Sequence, residues 1–588
     1  MKNKQDMIKK LFLSSLMTMI MSATVSLLGM IIDGVIISRF LGRDAMSAYG
    51  IVSPLFVLLS AVSGVLSSGT QTVCAKALGK GDEKKAHSSF STNFVFSFLI
   101  SILLILAIAI LAKPIASGLG ASGSAEYLMG DVTAYMYGLM FSIPFMCMSA
   151  TLNSVMFIEG NRKLAVTSTY AMCAVNVTGD LLCAFVFHGG MFGMALATTL
   201  SYIVSVAVLL SHFRHEHILK FSLKNVDFKT VPDIITVGLP TAVNRACNML
   251  RSVVLNRLLV AISTSVAVSA FSVRTNLNNL YSSVSVGMGM SMLVIGSVFA
   301  GEEDEHNLSH LLRIGLKYGF GITAIICAIV CVFAKPLVAI YTNDPEVAAL
   351  AIPALILYAI SVPLYTVIIV FMNYYQATGH KVFTNIITFL DNFLIVTIVG
   401  IGLGNVFGVY GVWVAFPIAE VIMMIALYIM VWIMAGHMPR NLKDLMLLPA
   451  DFDTSEKDRY RTSCTDLDSV INSSKEINEF LILQGVSDSN ASRMSLCVEE
   501  LGSNVIKWGF SDNKPHSIDI YLFFKNGVWT LRMRDDCESF NPKKWYELNM
   551  HEKSTDNLGI RMVFAQNPDI SYSGALKLNT VSLEMQQV

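Results

Sequence analysis

The feature that most constrains this chain is a series of long apolar runs, each close to the roughly 20 residues a helix needs to cross a bilayer. They lie near 11–38, 51–78, 89–112, 128–157, 163–187, 190–212, 235–260, 265–299, 311–334, 348–377, 382–405 and 409–436. In lipid a backbone must satisfy its own N–H and C=O groups, so each run is expected to be helical. The expected fold class is an all-α polytopic membrane protein of 12 transmembrane helices with an α+β appendix. Charge supports this division. Only 14% of the 588 residues are charged, against roughly a quarter in soluble domains. Residues 451–588 hold 15 basic and 21 acidic residues, and residues 1–450 hold 27 and 21. The first part is matched to lipid and the last part to water. A net charge of zero gives no reason to expect a nucleic-acid partner. The ten cysteines show no CxxC pair and no metal-ligand spacing, and read as small apolar side chains.

Lys and Arg set the expected orientation. Lys2, Lys4, Lys9 and Lys10 precede the first run, Lys76, Lys80, Lys84 and Lys85 follow the second, and Arg162 and Lys163 follow the fourth. Arg214, Lys220, Lys224 and Lys229 follow the sixth, and Arg440 and Lys443 the twelfth. The opposite loops hold chiefly Arg39, Arg43, Lys113 and Lys335. Both termini are therefore expected in the cytoplasm of a multi-pass plasma-membrane protein, with the appendix where ATP is available. The first run is too long for a cleavable signal peptide and is expected to be a span.

The runs fall into two sets of six. Ala112-Lys113-Pro114 recurs as Ala334-Lys335-Pro336, and Gly79 as Gly301, both at an offset of 222. Pro144 pairs with Pro363 and Gly160 with Gly379 at 219, and Gly193 with Gly411 at 218. Five pairs in order predict two homologous lobes, 1–225 and 226–445, followed by a cytoplasmic domain at 446–588. Because six is even, the repeat is parallel. Its substrate path is expected between the lobes, with transport by rocking of one against the other.

Ionisable groups at membrane depth are costly, about 2.5–3.5 kcal/mol each on insertion scales, and so point to a role. Asp33 lies in the first run; Asn176 and Asp180, four apart and on one helix face, lie in the fifth; Asn153 lies in the fourth. No Lys or Arg in the first or fifth run neutralises them. Carboxylates with amide oxygens suit Na⁺, and desolvated carboxylates suit H⁺, so these four are candidate coupling-ion ligands. The alternative is that the acids only bond neighbouring helices. The second set carries Arg245, Arg251 and Arg257 in its first run, Arg274 in the next, then Asp391 and Glu420. Arg245 and Arg251 either pair with these acids or line the cavity and attract an anionic substrate. Arg245, Arg251 and Asp391 are accordingly the substrate-cavity candidates. The Met-rich stretch 287–293 reads as packing, with an adaptable binding wall as the alternative.

The stretches IIDGVIISRFLG, ALGKGDEKKA, EGNRK, NVTGD and GMFGMALAT together resemble the multidrug and toxic compound extrusion (MATE) family over about residues 8–440. The resemblance implies Na⁺- or H⁺-driven antiport of cationic or amphipathic small molecules. It assigns Asp33, Asn176 and Asp180 to the cation site, joined by Asn153. Many members carry an acid in the seventh span, where this chain has Arg245 and Arg251.

In the appendix, helices are expected near 465–484, 490–508 and 556–566, a strand near 576–585, and a hairpin over 517–536 around Asn526-Gly527. CVEELGSN places Glu500 and Asn504 on one helix face, a base beside an amide oxygen for Mg²⁺. With RDDCESFNP and DNLGIRMV following in order, the segment resembles the GHKL-type ATP-binding fold, and especially small anti-sigma-factor serine kinases. That resemblance implies Mg-ATP as cofactor, Glu500 as general base, Asn504 as Mg²⁺ ligand, Asp535 against the adenine amino group and Gly559 in the phosphate-side turn. Cys537, Ser539 and Asn557 stand where the family often has glycine, which stiffens the loops. Two readings follow. One is a secondary antiporter with a cytoplasmic domain that binds nucleotide or a regulator protein. The other is a membrane-tethered kinase acting on a regulator. The chain has no G-x-x-x-x-G-K-[ST] loop, which argues against an ATP-driven pump.

Overall fold

The computed structural model describes residues 7–214, 217–262, 265–342, 344–512, 515–549, 558–567 and 570–586. Lys2, Lys4 and Asn557 lie outside them. The helical part comprises α1 (Met7–Ile36), α2 (Arg43–Gly79), α3 (Glu83–Leu119), α4 (Met129–Met140), α5 (Ile143–Ile158), α6 (Arg162–Leu182) and α7 (Gly190–Leu210) in its first half. The second half comprises α8 (Val231–Ile262), α9 (Ser265–Gly301), α10 (Glu305–Val332), α11 (Ala334–Ala339), α12 (Pro345–Thr378), α13 (Lys381–Phe389) and α14 (Ile395–Ala435). Among the described residues nine helices are long and apolar enough to span a membrane. The pair α4–α5, bent by 48°, makes ten if it is one span. α8 carries Asp233, Arg245, Arg251 and Arg257 and is not among them. α14 is broken at Gly408 (φ 63°, ψ −145°).

The repeat in the sequence has a counterpart in geometry. α3 kinks at Leu111 (φ −108°, ψ 17°) just before Ala112-Lys113-Pro114. α10 ends at Phe333 (φ −98°, ψ 13°) just before Ala334-Lys335-Pro336. Proline cannot donate to the preceding turn, so both helices break at the same place. Asp82 caps α3 through Lys85 N (2.9 Å), and Asp304 caps α10 through Asn307 N (3.0 Å). The halves meet reciprocally. A Cβ on Gly79 would lie 3.0 Å from the Val298 carbonyl carbon, and one on Gly301 would lie 2.9 Å from that of Lys76. Only glycine lets these two backbones touch.

The apolar core shows how the halves are joined. One cluster unites both halves: Phe12, Leu78 and Phe157 from the first, Met292, Tyr374 and Phe383 from the second. At the other end the core divides. One cluster draws only on residues between Ile36 and Ala195, and two others only on residues between Leu255 and Ala419. The bundle is closed at one end and parted at the other.

The appendix follows the short helix α15 (Leu442–Leu445) and sits at the closed end. It holds β1 (Arg459–Cys464), α16 (Leu467–Leu483), α17 (Asp488–Asn504), β2 (Ile518–Lys525), β3 (Val528–Asp535), α18 (Pro542–Asn549), α19 (Leu558–Gln566), β4 (Ser571–Ser573) and β5 (Asn579–Gln586). The antiparallel sheet has the order β1-β2-β3-β5-β4, with α16, α17 and α19 packed against it. The expected hairpin is present, with Asn526 (φ 53°) and Gly527 (φ 80°) in its turn. β1, β4 and α18 were not foreseen. β1 reads RYRTSC, is half-exposed at the sheet edge, and lacks the alternation that marks a strand.

Candidate functional site

Asp33, on α1, and Asn176 and Asp180, on α6, converge in the first half. With its amide turned to donate, Asn176 Nδ2 lies 3.1 and 3.2 Å from the two Asp33 oxygens. The Asp33 and Asp180 carboxyl groups are within hydrogen-bond reach of each other. Asp180 is 1% exposed, and neither of its oxygens has a hydrogen-bond donor. Two carboxyl groups so placed cannot both stay charged without a proton or metal cation between them. Both helices change pitch at this point. α1 passes into a π-helical turn over Ile37–Leu41, and α6 into one over Cys183–Phe187. Such turns free carbonyl oxygens and recur at functional sites.

Asn153 is placed differently. Its Nδ2 donates to Ala165 O (3.3 Å) and Ser168 Oγ (3.5 Å), two to three turns of α6 before Asn176, about 12–16 Å along the helix. These bonds tie α5 to α6 and do not reach the acids. The sequence reading missed Tyr49, on α2, and Tyr202, on α7, which both lie in electrostatic range of Asp33. A tyrosine in an apolar run gives no more signal than a phenylalanine until its neighbours are known.

The second half is wired otherwise. Asp391 lies in a π-helical turn over Leu390–Leu394, within hydrogen-bond reach of Glu420, and both feel the charge of Arg251. Arg251 donates to Asn248 Oδ1 (2.5 Å), and Asn248 reaches Asn392 Oδ1 (3.4 Å). Arg274 is buried among Phe271, Tyr358 and Phe416, with its guanidinium 4.4–4.5 Å from the three ring centroids. Arg245 is the exception. It crosses to the first half, where Nη1 donates to Ser60 Oγ (2.9 Å) over Gly64. Among the described residues no carboxylate pairs with it.

In the appendix Asn504 Nδ2 donates back to Glu500 O (2.6 Å), and α17 then enters a π-helical turn over Val505–Gly509. Gly559 lies against the Glu500 carboxylate, in space that any side chain there would need. The structure thus brings Glu500, Asn504 and Gly559 together. Asp535 is 6% exposed, and its Oδ1 accepts from Asn579 Nδ2 (2.8 Å) and Cys537 N (3.1 Å). Burial raises its pKa above the ordinary carboxylate range despite those bonds. Cys537 packs on Gly509.

A parted helical bundle with an unpaired acid cluster at membrane depth describes an integral membrane transporter. The MatE family model matches residues 18–185 and 240–402, more than half of the chain, and the protein belongs to that family. It is similar to the multidrug export protein MepA of Staphylococcus saprophyticus, 22% identical over 413 residues, covering 69% of this chain and 90% of the relative. It is similar also to the FAD transporter of Shewanella oneidensis, 23% identical over 400 residues, covering 66% and 86%. Its fold is shared with a multidrug resistance MATE family transporter solved in an outward-facing conformation, at TM-score 0.68 and 19% identity, covering 71% of this chain and 94% of that one.

Proposed function

We propose that the protein is a secondary antiporter that exports small organic molecules in exchange for Na⁺ or H⁺. The observation that carries this is the Asp33–Asp180 pair, in which Asp180 is buried, Asp33 half-buried, and no donor among the described residues reaches Asp180. A group of this kind binds a cation reversibly, and its occupancy is the difference an ion gradient can act on. Twelve spans in two lobes, 1–225 and 226–445, follow when the bent pair counts once, α8 is included, and α14 is divided at Gly408. The closed, appendix-bearing end is then cytoplasmic, and the parted end faces outward. Arg245, Arg251 and Asp391 border the cleft between the lobes, where the substrate binds. The relatives carry names for multidrug export and for FAD transport, and we take from them only that the cargo is a small organic molecule.

The domain at 446–588 is a regulatory module that binds Mg-ATP or a partner protein. Its support is the contact of Gly559 with Glu500 on the face that holds Asn504. A kinase reading rests on the same contact, and the engagement of Asp535 by Asn579 weighs against it. The decisive experiment is dye efflux from proteoliposomes under an imposed Na⁺ or H⁺ gradient without ATP. Gradient-dependent transport in wild type, absent in Asp33→Asn and Asp180→Asn, supports antiport; transport that ignores the gradient refutes it. Phosphate transfer from labelled ATP to a cytoplasmic protein, lost in Glu500→Gln, would instead support the kinase reading.

A further inference from the structure

The appended domain touches both halves of the bundle, and the two sets of contacts differ in kind. Toward the second half they are charged, with the Arg534–Glu302 pair and Asp304 buried and Lys525 and Glu303 nearer the surface. Arg461 Nη2 meets Asp304 Oδ1 at 2.8 Å, and its Nη1 donates to Asn307 Oδ1 at 3.1 Å. Arg534 pairs with Glu302, and each side chain is 5% exposed. Lys525 Nζ lies 2.5 Å from Glu303 Oε2. The linker adds to this anchor: Tyr374 and Tyr375, on α12, donate to the Met446 and Leu445 carbonyls at 3.1 and 2.7 Å. Removing one partner of a buried ion pair strands the other charge, so this anchor resists separation.

Toward the first half the contact is an apolar plug. Ala575, Leu576 and Leu578 are buried in the core cluster that unites the two halves. Leu576 is 1% exposed and, with Lys577, has φ of 63°, a conformation that costs a non-glycine residue energy and persists only under constraint. The constraint is Gly160, where a Cβ would come within 2.7 Å of Lys577 N. Arg162 Nη2 donates to Leu576 O at 3.4 Å. The remaining ion pair, Lys10 to Asp536 at 2.9 Å, leaves Lys10 55% exposed, and such pairs contribute little. Beside the anchor a cavity of about 380 Å³ is lined by Lys80, Glu303, Phe523 and Lys525.

From this asymmetry we infer that the domain is a conformational clamp: it rides on the second half and holds this end shut by seating residues 574–578 in the first half. This rests on the proposed alternation of the two halves and specifies the regulation. Opening of this end withdraws the plug and relaxes Leu576 and Lys577, while the arginine anchor stays made. A ligand that bound the withdrawn form of the domain would favour the open state by its difference in affinity.

The test is amide hydrogen exchange on the full chain in lipid nanodiscs, with gradient-driven dye efflux measured on the same samples. In Leu576→Glu, exchange over residues 158–162, 574–578 and 296–301 is expected to rise about tenfold, while residues 302–307 keep their protection. Gly160→Ala, which leaves the domain's own sequence intact, should act in the same direction. Arg461→Glu should expose 302–307 as well, whereas Arg461→Lys, which keeps the charge facing Asp304, should retain most of the protection. Unchanged exchange at 296–301 in both Leu576→Glu and Gly160→Ala would overturn the clamp. So would equal loss of protection at the anchor and the plug in those variants. Absence of efflux in wild type with the exchange pattern as expected would reject antiport and leave the clamp standing.

Discussion

At membrane depth the two halves of the bundle solve opposite electrostatic problems with the same architecture. In the first half Asp33 and Asp180 face each other with Asn176, and among the described residues no arginine or lysine answers them. In the second half the acids Asp391 and Glu420 sit in the field of Arg251, and Arg274 is wrapped by three aromatic rings. Acids in the field of an arginine have less to gain from a cation in solution, and this holds for the pair even though Glu420 Oε2 has no hydrogen-bond partner among the described residues. An uncompensated pair of carboxyl groups must recruit one. The pseudo-symmetry of the helices, seen in the matching breaks at Leu111 and Phe333, therefore does not extend to chemistry. On the proposed antiport, the first half would exchange a cation, while the acids of the second half lie in the field of an arginine.

The largest effect expected from this contrast is at the first half. Asp180→Asn should reduce ion-driven efflux by about 100-fold or more, equivalent to about 2.7 kcal/mol, while the protein folds as well as wild type. Asp33→Asn should match it, because a proton or cation held by two carboxyl groups is lost with either. Efflux in proteoliposomes at fixed gradient measures this. Persistence of ion-dependent transport in both variants would erase the distinction between the halves.

Next in size is the converse experiment. Asp391→Asn or Glu420→Gln leaves Arg251 with a weakened partner set at membrane depth. The expected cost is about 3 kcal/mol of stability, read as a lowered Tm in detergent, with the ion dependence of transport preserved in the molecules that remain folded. An altered ion requirement without a loss of stability would show that the second half also exchanges a cation.

These predictions could be framed at the sequence level only in part. That Asp33, Asn176 and Asp180 would lie together was legible because a carboxylate in a long apolar run has few explanations, and because a spacing of four residues fixes a shared helix face. Asn153 was not, since an amide twenty-odd residues earlier in the chain carries no information on its depth, and its bonds to Ala165 and Ser168 come from the packing of α5 on α6. The Arg251 and Arg245 alternatives could not be separated in sequence either. The distinction lies in whether the turn at Asp391 and helix α14 set acids in the field of the side chain, and for Arg251 they do. The two halves were legible through repeated Gly and Pro, whose backbone demands survive when side chains diverge. In the appendix the alternating hairpin announced itself. The edge strand β1 did not, because Arg461 serves a partner outside the sheet, Asp304, rather than a buried face.

A smaller effect is expected at Arg245, which belongs to the second half but projects onto Ser60 of the first. Arg245→Gln should change stability by no more than about 0.5 kcal/mol, as for sites free of buried pairing, and so leave Tm nearly unchanged. It should shift the ratio of efflux rates for carboxyfluorescein and ethidium about tenfold against the anionic dye, through loss of one charge-assisted contact. An unchanged ratio would mean that the cleft does not read substrate charge at this position, and a fall in Tm would class Arg245 with Arg251.

The smallest effect concerns the clamp, where the same contrast between buried and exposed charge recurs outside the membrane. Burial works against the ionised form of Asp304, but Arg461 and Arg534 outweigh it and hold its pKa below the ordinary value. Burial likewise opposes ionisation of Asp536, and the bonds from Lys10 and His516 prevail. A carboxyl group whose pKa is depressed on docking contributes its stabilisation above its free pKa of about 3.9 and loses it as pH falls through the docked value. Docking of the domain should therefore be flat from pH 8 down to about pH 4 and weaken below that. Lys10→Ala should change docking by less than about 1 kcal/mol, and salt near 1 M should abolish even that difference, since the Debye length is then about 3 Å. Protection of residues 302–307 against hydrogen exchange, measured in that salt, should be unaltered, because Arg534 and Glu302 meet out of reach of the solvent ions. If salt released both contacts together, the anchor would be a surface interaction and its difference from the Lys10 pair would disappear.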